Sequence, residues 1–216
     1  MACKHLRVQT SCSWPLVAWR LAIAGSAFLG VWLAAEQYDV WWTALSQQAS
    51  LAVGVGYLLL AFGGATRRSG PRRALASAWF RGAAASTMAL VAIGFLAMQH
   101  GNLLDPYSIF EHMITPAAVI ADRLLVGTDR NVTRWWHPWS WLVAPAIYLA
   151  SYVALDLQVY VDLDPSSPTT FATNVTVLLG VLLSSAYALH VLARVRAPVG
   201  VDERLPRARS NQPSRR

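Results

Sequence analysis

The sequence predicts an all-α fold, a polytopic membrane protein with six transmembrane helices in one bundle, and three observations carry that expectation. Of its 216 residues, 55% are hydrophobic and only 13% charged, about half the charged share of a soluble domain. Apolar runs at 14–34, 42–63, 80–98, 108–127, 139–158 and 172–193 come close to the roughly 20 residues that cross a bilayer as a helix. The basic residues fall in every second connection between those runs. The runs lack strict apolar/polar alternation and are about twice as long as a barrel strand. A helix remains, because in lipid it satisfies its own backbone groups.

The first run follows Lys4 and Arg7. It lacks a convincing small-residue cleavage site and is expected to stay as an anchor. Glu36 and Asp39 separate it from the second run. A turn-like stretch, Gly63-Gly64 and Ser69-Gly70-Pro71, joins the second to the third and carries Arg67, Arg68, Arg72 and Arg73. Asp105 precedes the fourth run, Arg130 and Arg134 the fifth, and Asp162 and Asp164 the sixth. Arg194, Arg196, Arg204, Arg207, Arg209, Arg215 and Arg216 close the chain. The acidic connections hold no Lys or Arg. The positive-inside rule therefore puts both termini in the cytoplasm of a plasma-membrane protein, an alternation that five or seven spans would break.

Three parts follow: a cytoplasmic segment 1–13, a transmembrane domain 14–195, and a basic tail 196–216 too poor in apolar surface to fold. The net charge of +7 comes from 17 arginines and one lysine. They lie where topology puts them, so nucleic acid is not the expected partner. Membrane lipid is, and the oligomeric state is not legible. Ten tryptophans and seven tyrosines suit interfacial belts. Cys3 and Cys12 both precede the first run and are expected to be reduced thiols without a structural role.

Polar side chains at membrane depth are costly and point to function. Arg20 and Arg81 lie near cytoplasmic ends, where long side chains reach the headgroups. Asp122 either pairs across to another helix or faces the inner headgroups. In the outer half, Thr43 opens the second run and His112 lies one turn into the fourth. At ~1.5 Å rise per residue both sit only ~3–6 Å below their helix starts. They share a leaflet and a depth, and could meet if those helices pack together. Pro116 offers no N–H to the His112 carbonyl, so a bend is expected there. Thr115 stands one turn below His112. A hydroxyl beside an imidazole base is the minimum for nucleophilic catalysis. No cofactor is implied. His112 and His190 fall at opposite depths, which excludes them as a haem pair. His137 shares a depth with His190 but stands beside Pro138. His100, Asp105, Glu111 and His112 lack a recognisable metal spacing. The sequons at Asn131 and Asn174 fall where no glycan is expected.

Several short patterns in order carry a resemblance over residues 14–194: Trp42-Thr43-Ala44-Leu45-Ser46, Arg81-Gly82-Ala83, His112-Met-Ile-Thr-Pro116 with Asp122 after it, and Trp141-Leu-Val-Ala-Pro145-Ala-Ile-Tyr148. Asp164-Pro165 and Asn174 complete the set. With these the chain resembles the bacterial six-span Pr-six-Pr membrane proteins, distant relatives of the eukaryotic androgen-induced and androgen-dependent membrane proteins. The eukaryotic relatives are threonine-dependent hydrolases of fatty acid esters of hydroxy fatty acids. The resemblance implies Thr43 as nucleophile and His112 as base, with Ser46, Gln47, Thr115, Tyr148 and Asn174 as possible supports and a lipid ester as substrate. Where the bacterial pattern has Ser-Asn, this chain has Ser46-Gln47, which moves the amide by a methylene.

The expected function is therefore an intramembrane, Thr/His-dependent hydrolase of fatty-acyl esters. The alternative is a non-catalytic membrane protein that binds lipid or a partner. A transporter would need polar groups through the midplane, and the clear ones lie near the span ends.

Overall fold

A computed structural model describes residues 14–63, 71–99, 103–126 and 133–195, with the backbone alone for 63, 71–76, 98 and 99. The segment 1–13 with Cys3 and Cys12, the 64–70 turn, His100, Arg130 and the tail 196–216 lie outside the described residues.

Every described element is helical. Trp14–Gln37 forms α1 and, after a 3-10 turn at Trp41–Thr43, Leu45–Gly63 forms α2. Pro71–Gly94 is α3, ending in a π turn at Phe95–Gln99. Pro106–Ile109 is α4, the π turn Phe110–Ile114 follows without a break, and Thr115–Leu125 is α5. His137–Ser140 is α6, Val143–Ala154 is α7, and Pro168–Val195 is α8 after a 3-10 turn at Val161–Leu163. Proline starts α3, α4 and α8, where its missing N–H costs nothing. Among the described residues four helices are long and apolar enough to cross a membrane: α1, α2, α3 and α8. That is the signature of a membrane protein.

The predicted fourth and fifth spans take a more broken form. The fourth is one compound helix from Pro106 to Leu125 whose middle is wound as π. The Thr115 N–H reaches back to the Phe110 carbonyl, five residues away, immediately before Pro116. The looser turn takes up the disturbance that a proline without an N–H brings. The fifth breaks at Trp141–Leu142 and ends at Ala154, short of the expected 158. Pro145 has no N–H for the Trp141 carbonyl, and regular bonding resumes with Ala146 donating to Leu142 at 2.9 Å. At the far end of α7 the Asp156 N–H bonds to Val153 and the Leu157 N–H to Tyr152. Asp156 itself is left-handed at φ 50°. This is a Schellman stop with aspartate in the usual glycine position.

The core is built from small residues. Ala24 and Ala27 of α1, Ala49 and Val53 of α2, Ala84, Ala85 and Met88 of α3, Val119 of α5 and Leu189 of α8 form one cluster. α1 lies along α2, and α3 packs against α2, α5 and α8, which makes the alanine-rich α3 the central helix. At Gly54, Gly56 and Gly82 aromatic rings occupy the space a side chain would take. A Cβ on Gly82 would fall into the Trp141 indole, and one on Gly56 into the Phe80 ring. Outward-facing residues such as Leu59, Phe62, Ile147, Val177 and Val191 are exposed, as lipid-facing positions are.

Arg81 corrects the sequence reading. Its guanidinium is fully buried and does not reach for headgroups. Arg81 Nε donates to Asp122 Oδ2 at 2.6 Å, and its NH2 group to the Asp122 and Val126 carbonyls at the end of α5. Tyr57 and Trp19 donate to the same carboxylate at 2.9 and 3.1 Å. A cation on the last carbonyls of a helix is favourably placed, and Asp122 at matching depth makes pairing better than a long reach outward. Arg20 likewise turns to the Leu60 carbonyl, at 2.9 Å.

Candidate functional site

The connections 37–45, 103–105 and 155–167 lie at one end of the helices, called here the acidic end. Tyr38 and Tyr107 pair their hydroxyls there at 2.8 Å. The start of α2 is held from α7 and the loop behind it. The Tyr148 hydroxyl donates to the Thr43 carbonyl at 3.0 Å, and the Leu45 N–H donates to the Tyr160 hydroxyl at 3.0 Å. Tyr160 thus satisfies one of the amides that a helix start leaves without a partner. The 3-10 turn directs the Thr43 hydroxyl to the Val40 carbonyl, at 2.9 Å.

His112 lies in the π turn, buried, with its ring stacked on Phe95 at 3.8 Å between centroids and 21° between planes. Phe95 opens the π turn that ends α3, so the two irregular turns meet ring to ring. Nδ1 lies 3.2 Å from the Ser108 carbonyl and 3.4 Å from its hydroxyl. The carbonyl can only accept, so in the tautomer that uses it Nδ1 carries the hydrogen and Nε2 is the basic nitrogen; the hydroxyl can instead donate to a bare Nδ1.

Next to His112, the Glu111 carboxyl is completely buried. Gln47 Nε2 donates to Glu111 Oε2 at 3.1 Å, and the Ser46 side chain faces the same group. Glu111 Oε1, Gln47 Oε1 and Ser50 Oγ are buried without a hydrogen-bond partner among the described residues. Gly30 of α1 makes room, since a Cβ there would come within 2.9 Å of Glu111 Cγ. One turn further in, Thr115 and Ser26 pair at 3.1 Å.

The expected site is thus distributed. Thr43 and His112 sit at the same end, but the described residues show no hydrogen bond between their side chains. Ser46 and Gln47 gather on Glu111. Thr115 bonds to Ser26 and not to His112. Tyr148 touches Thr43 through the backbone. Asn174 donates to the Asp162 carbonyl at 2.6 Å and holds the 161–163 turn. In that loop the Asp164 carboxyl accepts from the Ser166 N–H at 2.8 Å and its hydroxyl at 2.6 Å, and the Ser166 side chain and backbone hold Asp164 below the usual carboxylate range.

At the opposite, basic end, the Arg123 NH2 group donates to the Thr133 hydroxyl at 3.2 Å, and Arg194 donates to the Thr133 carbonyl at 2.6 Å. His137 Nδ1 accepts the Arg134 N–H at 3.1 Å. Among the described residues no group of three or more His, Cys, Asp or Glu side chains could hold a metal ion.

Sequence reasoning passed over Glu111 as one acid among several on the outer side. Its signal was present: no Lys or Arg occurs from Leu21 to Thr66 or from Gly82 to Ala121. Phe95, Ser108 and Tyr160 carried no such mark. Comparison of the chain with protein-family models, curated proteins and solved structures gives no match.

Proposed function

We propose that the chain is a six-span plasma-membrane protein with both termini cytoplasmic, and that it hydrolyses fatty-acyl esters at its outer end. In this reading the compound helix from Pro106 to Leu125 and the broken one from His137 to Ala154 are the remaining spans. His112 Nε2 takes the proton from Thr43 Oγ1, which attacks the ester carbonyl. The alcohol leaves with that proton, and a water molecule activated by His112 then releases the fatty acid and restores Thr43.

One observation carries the reading. The hydrogen bond from Gln47 to Glu111 ties the turn of α2 just after Thr43 to the residue beside His112. In the tautomer that donates to the Ser108 carbonyl, His112 adds a base whose Nε2 is free of the Ser108 contacts. Attack also requires Thr43 to rotate about χ1 and release the Val40 carbonyl. Purified protein should hydrolyse long-chain acyl esters and label at Thr43 with a fluorophosphonate. Thr43→Ala and His112→Ala should each lower turnover by at least ~100-fold while the protein stays folded. Equal turnover by both variants and the wild type would sink the proposal.

The bond of Thr43 to Val40 favours a second reading, a protein that binds lipid or a partner at this end without turning it over. Folded wild-type protein that labels with none of several hydrolase probes would decide for it.

A further inference from the structure

We propose that Glu111 is a proton-binding site, reached from the acidic end through the cavity above it. The carboxyl is completely buried, and its surroundings offer almost no charge compensation. The facing stretch of α1, 23–35, has no ionisable side chain, and neither has α2 from 45 to 54, α3 from 88 to 97, or the stretch 113–121 below it. The ionisable groups that remain are the neighbouring His112, Tyr107 one turn outward, and Tyr160 in the loop. His112 turns Nδ1 toward Ser108 and stacks its ring on Phe95. A carboxylate buried this way is costly unless paired with a cation. Gln47 supplies one neutral donor to Oε2 and the neutral Ser46 side chain faces the group, while Oε1 has no hydrogen-bond partner among the described residues. A proton on Oε1 removes the charge and with it the cost of burying it.

A route is at hand. A cavity of about 340 Å³ is lined by Leu33, Glu36, Gln37, Pro106 and Tyr107. It lies between α1 and α4, just outward of where α1 meets the π turn at Gly30 and Glu111. Leu33 is nearly one turn outward of Gly30, and Tyr107 one turn outward of Glu111, so these two lining residues stand about 5 Å outward of the Gly30–Glu111 contact along the axis. Glu36 at its rim concentrates cations. Below Glu111 the polar line continues to the Ser26–Thr115 pair and stops at buried Ile23, Val53 and Val119. The carboxyl is closed off by apolar packing toward the basic end, and the cavity lies on its acidic side. The proton site stands whether or not Thr43 and His112 hydrolyse esters.

Dicyclohexylcarbodiimide attacks protonated carboxyls in apolar surroundings and leaves a stable adduct that peptide mass spectrometry locates. With full-length protein in detergent, Glu111 should be labelled, with exposed Glu36 as the internal reference. The Glu111 to Glu36 ratio should change by at least about tenfold between roughly pH 5 and pH 9. Glu111→Gln, which keeps shape and removes the proton site, should lose the adduct at unchanged elution volume. Tyr107→Trp, which narrows the cavity, should slow labelling of Glu111 but not of Glu36. No adduct at Glu111 at any pH, or an unchanging ratio, would overturn the proposal. Protection by sodium at constant pH would overturn it too, in favour of a metal-cation site.

Discussion

Replacing Arg81 by methionine should destabilise the protein about as much as any single change can. The substitution keeps the aliphatic volume and removes the guanidinium. Asp122 keeps the neutral donors Tyr57 and Trp19 but loses the ion pair at 2.6 Å, and the carbonyls of Asp122 and Val126 lose their shared donor. Removing one partner of a buried pair costs about 3–5 kcal/mol, because the other charge stays behind unpaired. For a chain of this length that corresponds to a fall in Tm of roughly 6–20 °C. Removing both charges is far milder, so Arg81→Met combined with Asp122→Leu should recover at least ~2 kcal/mol relative to the sum of the single variants. The assay is thermal unfolding of detergent-solubilised protein, followed as loss of the monodisperse peak, for wild type, both single variants and the double variant. Single variants that lose less than about 1 kcal/mol, or a double variant that loses the full sum, would refute the reasoning.

Two smaller tests follow from the packing and the loop. Gly82→Leu drives a branched side chain into the Trp141 indole and should cost at least ~2 kcal/mol in the same unfolding assay, whereas Gly25→Ala, with open space around its Cβ, should cost nothing measurable. Asp164 titrates below its ordinary 3.8 because Ser166 bonds to its charged form. The stabilisation is therefore complete above about pH 4 and is lost as pH falls through the folded value. Ser166→Ala should move the carboxyl titration, read by NMR, up toward 3.8.

The membrane character and the bounds of α1, α2 and α8 were legible because a bilayer demands long apolar runs, and hydropathy counts them directly. The broken form of the fifth segment was half legible: Pro145 announced a disturbance, but the break falls four residues earlier, at the carbonyl the proline cannot serve. Arg81 was misread because a local window sees a lone cation near a helix end and not the carboxylate of a distant segment at the same depth. An acid and a base at equal depth would have been the better rule. At the candidate site, shared depth put Thr43 and His112 at one end, and no pattern in the residues foretold that the Thr43 hydroxyl turns back to Val40. Glu111 was readable as an acid in the long stretch from Gly82 to Ala121 without Lys or Arg. The π turns were not, since winding responds to Pro116 and to the contact of Phe95 with His112, and neither is local.

The π turn at Phe110–Ile114 also gives the compound helix a degree of freedom that α1 and α2 lack. A π turn stores one residue of slack, and slack in a helix can migrate. Moving it one residue along the axis changes the facing of the residue it passes by about 100° and leaves the flanking turns in place. Asp122, clamped by three side chains, holds the inner flank. The winding at Phe110–Ile114 thus decides, residue by residue, which side chains this part of the segment turns toward α1 and α3.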